Sequence, residues 1–137
     1  MAAIHKGLKG VREMVVGAAD LASYTGNTGA DVLSTPRLVL LMEQAARLAI
    51  EGRLPPGKIT VGTLIQIRHF AASPLGATIR AEAVLKEVDG RRLLFEVAAY
   101  DDVEKISEGV NERHIVSEEK FLERVRKKAD LSASKTQ

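Results

Sequence analysis

Residues 38–50 read LVLLMEQAARLAI, and this stretch decides the fold because it consists mostly of good helix formers. Its apolar side chains run almost all the way round the helix, as expected of a helix that is buried on most sides. Thr35 is the expected N-cap and Pro36 the first helical residue. Gly52 and the two prolines that follow end the helix. We therefore predict a central helix that other elements must cover.

Five stretches carry strand-forming residues, and four of them alternate apolar and polar side chains. We predict a strand in each: 11–19, 59–71, 77–88, 91–100 and 104–116. The last four are joined by short turns such as Asp89-Gly90, so they are expected to pair antiparallel with one another. Ser117 is expected to cap a short C-terminal helix, and residues 127–137 are predicted to be a disordered tail.

These elements predict a single α+β domain over residues 1–126. Only the helix over 38–50 is large and apolar enough to cover the sheet, so the expected architecture is a hot-dog fold. In that fold a long central helix is wrapped by a curved antiparallel sheet, here of about five strands. One layer of sheet leaves a sheet edge and a helix flank exposed. We therefore expect a homodimer, which could pair again into a tetramer.

Composition excludes several functions. The chain has 137 residues and no cysteine, which rules out a disulfide scaffold, a thiol nucleophile and any cysteine-containing metal site. Its three histidines are far apart in sequence, so no metal site is expected. A formal charge of +2 and 4% aromatic residues do not favour a nucleic-acid partner. No apolar run has the length of a membrane span, and the N-terminus lacks the apolar core of a signal peptide. A cytoplasmic protein is expected.

Glu43 and His69 are the first candidates for chemistry. A carboxylate on an apolar helix is costly to bury unless it is paired or protonated. Glu43 belongs either to a solvated polar stripe with Gln44 and Arg47, paired with Arg47 one turn away, or to a catalytic site at a subunit interface. His69 lies on the more apolar face of the strand over 59–71. It is either structural or, if desolvated near a carboxylate, a general base or base-orienting group.

Three further residues have a plain structural interpretation. Thr35 is explained fully as a helix cap, and Arg113 alone would be a solvated charge on the last strand. Gly62 marks either a bulge or the close approach of a backbone or ligand to its strand. Thr35 lies about 12 Å from Glu43 along the helix axis. The two could therefore share a site only from opposite sides of a substrate or from different subunits.

The chain resembles the hot-dog thioesterase superfamily, and most closely its fluoroacetyl-CoA thioesterase branch. The resemblance rests on three segments, which occur in the same order and with the same spacing as in that family. They are VLSTPRLVLLMEQAA at 32–46, VGTLIQIRHFAASPLG at 61–76 and EGVNERHIVSEEKF at 108–121. It implies an acyl-CoA thioesterase whose only coenzyme is the CoA of the substrate.

The resemblance also implies roles for individual residues. The family's catalytic threonine, glutamate and histidine fall on Thr35, Glu43 and His69. The glycine whose amide approaches the thioester carbonyl falls on Gly62, and the arginine near the acyl group falls on Arg113. Glu43 would act as the nucleophile or as a general base on water, and these alternatives stay open at this point.

One departure from that branch concerns the acyl group. The fluoroacetate-specific member has a longer segment before its threonine, with phenylalanines that cover the acyl group. Here the matching stretch is YTGNTGADVLS, which is short and has no phenylalanine. We therefore expect a short or medium acyl-CoA as substrate. The alternative function is a non-catalytic hot-dog module that binds acyl-CoA, whereas a hydratase is disfavoured because no DxxxxH-like segment surrounds His69.

Overall fold

The computed structural model describes residues 3–135, so residues 1–2 of the predicted domain and 136–137 of the predicted tail lie outside it. The elements follow the predicted order of strand, loop, helix, four strands and C-terminal helix. They are β1 (Lys9–Val15), two short 3-10 helices (Ala18–Asp20 and Ala22–Thr25), α1 (Thr35–Ala49), β2 (Lys58–His69), β3 (Thr78–Asp89), β4 (Arg92–Tyr100), β5 (Lys105–Ser117) and α2 (Glu118–Lys135).

The five strands form one antiparallel sheet in the order β1-β3-β4-β5-β2. The prediction that consecutive late strands pair with one another is wrong for β2 and β3. β2 pairs with β5 instead, in a register that runs from Lys58 opposite Ser117 to His69 opposite Ser107. The connection over 70–77 is longer than a hairpin turn, so it can carry the chain across the sheet. As a result, β2 is an edge strand.

α1 packs one face against β1 and β3. That face is fully or almost fully buried and consists of Leu38, Leu41, Met42, Ala45, Ala46 and Ala49. Its three alanines allow close packing, and a Cβ at Gly10 of β1 would collide with the backbone of Ala45 and Ala49. The opposite flank is open, since Leu40 is 43% exposed and Arg47 is exposed as well. The helix is therefore covered on one side, whereas its sequence predicted burial on most sides.

α1 begins one residue earlier than predicted. Ser34 is the N-cap, and its Oγ accepts a hydrogen bond of 3.2 Å from the backbone N–H of Arg37. Thr35 is therefore the first helical residue, and the assignment of Thr35 as the cap is wrong. Serine and threonine are both good caps, and the direction from which the chain approaches the helix decides between them. The Thr35 hydroxyl is thereby left free for another partner.

The ends of the other elements also differ from the sequence prediction. β1 stops at Val15, and Val16 turns inward to a buried position before the first 3-10 helix. α2 continues to Lys135, so residues 127–135 are helical where a disordered tail was predicted. Lysine, alanine and leucine in this segment are good helix formers, which supports the longer helix. No helix within residues 3–135 is both long and apolar enough to span a membrane.

Candidate active site

Glu43 and Arg113 form an ion pair between the middle of α1 and strand β5. Arg113 Nη1 donates a 3.0 Å hydrogen bond to Glu43 Oε2. The same guanidinium donates to the hydroxyl of Thr60 at 3.1 Å and to its carbonyl at 3.2 Å. Arg113 is only 3% exposed. It is therefore not the solvated strand charge that its sequence context indicated.

This pairing bears on the interpretation of Glu43 as part of a solvated polar stripe. The carboxylate bonds to Arg113 across the fold rather than to Arg47 one helical turn away, so the predicted Glu43–Arg47 pair is wrong. Burial lowers the pKa of Arg113, and the Glu43 carboxylate opposes that shift. A guanidinium remains charged at neutral pH. Arg113 therefore supplies a fixed positive charge that holds the Glu43 carboxylate in one place.

Gly62 lies directly against this ion pair. A Cβ built on Gly62 would be 2.5 Å from Glu43 Oε2 and 3.2 Å from Arg113 Nη1. The β2–β5 register also shifts between Gly62 and Leu64, which leaves Thr63 as an extra residue in the strand. The predicted bulge is therefore present, and what approaches Gly62 closely is the Glu43 side chain rather than a backbone. Only glycine leaves room for the carboxylate at this point of the backbone.

The bulge is held by a polar network that the sequence analysis did not identify. The Thr63 hydroxyl donates to Glu112 Oε1 at 2.8 Å and lies 2.9 Å from Nδ1 of His114. Glu112 in turn accepts a 2.7 Å hydrogen bond from Nε of Arg92. A bulge re-aims the side chains and amides of its strand, so this network helps to orient Gly62. Its residues are distant in sequence, and no local pattern marks them.

Thr35 and His69 form a second group. The Thr35 Oγ1 lies 2.8 Å from Nδ1 of His69, which joins the first turn of α1 to the end of β2. Burial lowers the pKa of His69 below its usual value of 6.5, although a backbone hydrogen bond at Ala71 opposes the shift. Its Nε2 is buried and has no hydrogen-bond partner within residues 3–135. Burial therefore favours the neutral form of the imidazole.

The five predicted site residues thus fall into two groups within one chain. Glu43, Gly62 and Arg113 make one, and Thr35 with His69 makes the other. Eight residues of α1 separate Thr35 from Glu43, or about 12 Å. Seven residues of β2 separate Gly62 from His69, or roughly 20 Å. A single protomer therefore does not bring the carboxylate and the imidazole together.

An open cavity of about 600 Å³ adjoins the Glu43 group. Thr60, which bonds Arg113, lies in its wall, and Arg47, one turn after Glu43, lies there too. Its walls combine apolar side chains from Leu48 and Leu54 with the guanidinium of Arg12. No cluster of three or more His, Asp or Glu side chains within residues 3–135 is placed to hold a metal ion.

Residues 16–119 match the sequence profile of the family of fluoroacetyl-CoA-specific thioesterases. The chain is 42% identical over 98 residues to the fluoroacetyl-CoA thioesterase of Streptantibioticus cattleyicolor, covering 72% of this chain and 70% of that protein. A crystal structure of a mutant of the fluoroacetyl-CoA-specific thioesterase FlK superposes with a TM-score of 0.87 at 33% identity, over 93% of this chain and 99% of the other. A hypothetical protein of Thermus thermophilus, a thioesterase superfamily member, gives 0.90 at 26% identity, over 98% and 99%. The predicted hot-dog fold is thereby confirmed.

Proposed function

Because the chain belongs to the family of fluoroacetyl-CoA-specific thioesterases, we propose that it hydrolyses the thioester of a short or medium acyl-CoA. The products are the carboxylic acid and free CoA. The observation that carries the proposal is the Glu43 carboxylate, which a buried arginine holds against the backbone of Gly62 on an edge strand. The segment over 24–34 contains no phenylalanine, which supports an acyl group other than fluoroacetyl.

The geometry supports a role for each residue. The fixed carboxylate of Glu43 attacks the thioester carbonyl itself or removes a proton from an attacking water. In either case the carbonyl oxygen gains negative charge before the carbon–sulfur bond breaks. If Glu43 attacks, a mixed anhydride with Glu43 forms, and a water then hydrolyses it to the acid and the free carboxylate. In both routes a proton of the attacking water passes to the CoA sulfur, which leaves as the thiol. The Gly62 N–H stabilises the oxyanion, and one such donor contributes about 3 kcal/mol. Arg113 holds Glu43 and lies beside the reacting groups.

His69 and Thr35 complete the site from a second copy of the chain. Burial favours the neutral imidazole, and its buried Nε2 has no partner among residues 3–135, so the ring is suited to accept or relay a proton; Thr35 orients it through Nδ1. Among the residues that the structure describes, one edge of β2 pairs with no other strand. Two copies of β2 related by a two-fold axis pair antiparallel, which sets the His69 end of one strand beside the Gly62 end of the other. A homodimer thus contains two complete sites.

A panel of acyl-CoA substrates tests the activity. Acetyl-, fluoroacetyl-, butyryl- and hexanoyl-CoA are incubated with the protein, and free thiol is measured. We expect hydrolysis that falls by at least about 100-fold in Glu43→Ala and His69→Ala. The matched controls Glu119→Ala and His5→Ala remove an exposed carboxylate and an exposed imidazole and should retain the wild-type rate. Acyl-CoA binding in calorimetry with no turnover would instead support the non-catalytic module.

Mixing two inactive variants tests the shared site. If Glu43 of one protomer works with His69 of the other, a mixed dimer of Glu43→Ala and His69→Ala protomers contains one intact site. Random exchange of protomers should then restore about a quarter of the wild-type activity. If both residues act within one protomer, no mixture regains activity. The mass of the complex in solution, measured by light scattering, is expected to be that of a dimer or of two dimers.

A further inference from the structure

Ser107 is a buried polar residue near the start of β5 that the proposed chemistry does not use. Its side chain is fully buried, and its Oγ has no hydrogen-bond partner within residues 3–135. Ser73 is as deeply buried, but its Oγ donates a 2.8 Å hydrogen bond to Oδ2 of Asp101. Buried polar groups are nearly always hydrogen-bonded, so the Ser107 hydroxyl is expected to have a partner as well.

His69 lies directly opposite Ser107 on the neighbouring strand. The β2–β5 register pairs the two residues, and the N–H of Phe70 donates to the carbonyl of Ile106 at 2.9 Å. This bond makes His69 and Ser107 a non-hydrogen-bonded pair, in which the two side chains extend from the same face of the sheet and lie closest together. Their Cβ atoms are therefore about 4.5–5.5 Å apart. Two buried atoms without partners, Oγ of Ser107 and Nε2 of His69, thus belong to neighbouring side chains.

The space between these two side chains fits a water molecule. No hydrogen bond joins Oγ of Ser107 directly to Nε2 of His69. Polar groups that lie near each other without direct contact are commonly bridged by an ordered water, which needs about two to four polar partners. The two side chains provide two partners, and the backbone at Ala71 is within hydrogen-bond reach of the ring. One water would therefore satisfy both buried atoms.

The burial of Nε2 determines which ring nitrogen of His69 can take part in proton transfer. Nε2 is enclosed by this chain, whereas Nδ1 lies 2.8 Å from the hydroxyl oxygen of Thr35. In the neutral ring, Nδ1 can accept a proton only if Nε2 carries the ring's own proton. A buried N–H without an acceptor is costly. The tautomer that leaves Nδ1 free to accept therefore requires an acceptor beside Nε2.

We propose that one water accepts the Nε2–H of His69 and donates to the hydroxyl oxygen of Ser107, which keeps the lone pair of Nδ1 directed at Thr35. Ser107 is thus a positioning residue that acts through the imidazole. This inference rests on the proposed function, because it concerns how the imidazole is prepared for thioester hydrolysis. The buried hydroxyl does not reach the substrate, so its loss should lower kcat and leave KM unchanged.

The experiment compares Ser107→Ala with the matched control Ser73→Ala. Each variant removes one fully buried hydroxyl, but only Ser107 lies opposite His69. For the best acyl-CoA of the panel we expect kcat to fall about five- to tenfold in Ser107→Ala, the usual contribution of one hydrogen bond, with KM unchanged. Ser73→Ala loses its bond to Asp101, so its melting temperature should fall while kcat and KM stay at the wild-type values.

Nitrogen-15 NMR measures the tautomer of His69 directly, and His69→Gln identifies its signals among those of the three histidines. In the wild type the ring proton should be on Nε2, and in Ser107→Ala a larger share of it should be on Nδ1. A high-resolution crystal structure should show a water within hydrogen-bond distance of Oγ of Ser107 and Nε2 of His69.

Several results would overturn the inference. One is a kcat in Ser107→Ala equal to that of the wild type or of Ser73→Ala; a raised melting temperature with it would show that the hydroxyl has no partner. Others are a ring proton on Nδ1 in the wild type, a tautomer that the substitution leaves unchanged, and clear density without a water between the two side chains. If the wild-type protein hydrolysed no acyl-CoA, the proposed function would fail by itself. The ring spectra would still decide whether Ser107 sets the tautomer of His69.

Discussion

Replacing Gly62 with alanine is the sharpest test of the Glu43 group. The new Cβ would lie 2.5 Å from Glu43 Oε2, whereas ordinary van der Waals contact begins near 3.4 Å. The carboxylate oxygen must therefore move by about 0.9 Å, the difference between these two distances. A displacement of about 1 Å in a reacting group costs on the order of 100-fold in rate. We expect kcat/KM for the best acyl-CoA to fall by about that factor, or about 2.7 kcal/mol.

The same substitution should leave the fold intact. The atom that must move is the end of a flexible side chain, so the backbone need not shift. Moving it weakens the bond to Arg113, which we expect to lower the free energy of unfolding by about 1 kcal/mol. The assay is therefore paired: free-thiol release gives kcat/KM, and thermal unfolding followed by circular dichroism gives stability. A large loss of rate with a small loss of stability is the expected result.

Two other glycines serve as controls for Gly62→Ala. At Gly17 a Cβ would meet only Oδ2 of Asp20, at an ordinary 3.4 Å, so Gly17→Ala should change neither rate nor stability. At Gly10 a Cβ would collide with the backbone of Ala45, so Gly10→Ala should destabilise the packing of α1 on β1 severely. Wild-type kcat/KM in Gly62→Ala would refute the placement of the carboxylate against this backbone. If Gly62→Ala lost as much stability as Gly10→Ala, the expectation that only the flexible Glu43 side chain moves would be refuted.

The remaining predictions concern the network around the site. Glu43→Gln leaves Arg113 buried without its counter-charge, so the free energy of unfolding in urea should fall by about 1–3 kcal/mol as activity is lost. Burial lowers the pKa of His69, so its imidazole becomes charged only below pH 6.5, and kcat/KM should decline in that range and stay level above it. A midpoint of the pH profile above 6.5 would contradict this. Thr63→Val removes the bond to Glu112 at the bulge, and kcat should fall more than KM changes, with Thr63→Ser restoring most of it. Ser34→Ala removes the cap of α1 and should cost about 1 kcal/mol of stability by thermal unfolding, with the imidazole contact kept.

The fold could be read from the sequence where the signals are local. The alternation along 59–71 predicted β2, and its inward face indeed carries Ile65, Ile67 and His69. The turn predicted at Asp89-Gly90 indicated the β3–β4 hairpin, which forms one residue later: Asp89 pairs with Arg92, and Gly90 in the loop is left-handed at φ 60°. These features depend on neighbouring residues alone, so one chain segment contains all the information that decides them.

The candidate site could be predicted only in part. The type of residue at Glu43, Gly62 and His69 was sufficient to nominate each of them. The burial of Arg113 was not predictable, because its partners Thr60 and Glu43 lie 53 and 70 residues away. The Thr35–His69 contact required the cap to fall on Ser34, and two adjacent good caps cannot be ranked from the sequence. Only the path of the chain into α1 distinguishes them.

The sequence by itself therefore determined the order of the five strands and two α-helices, but not the two short 3-10 helices or the length of α2, and through its resemblance the residues of interest. The tertiary structure alone decided that β2 lies at the sheet edge beside β5, and that the five residues form two separate groups. The physical reason is the range of the interactions. Periodicity and capping act over a few residues, whereas strand order and the burial of an ion pair depend on which distant segments pack together.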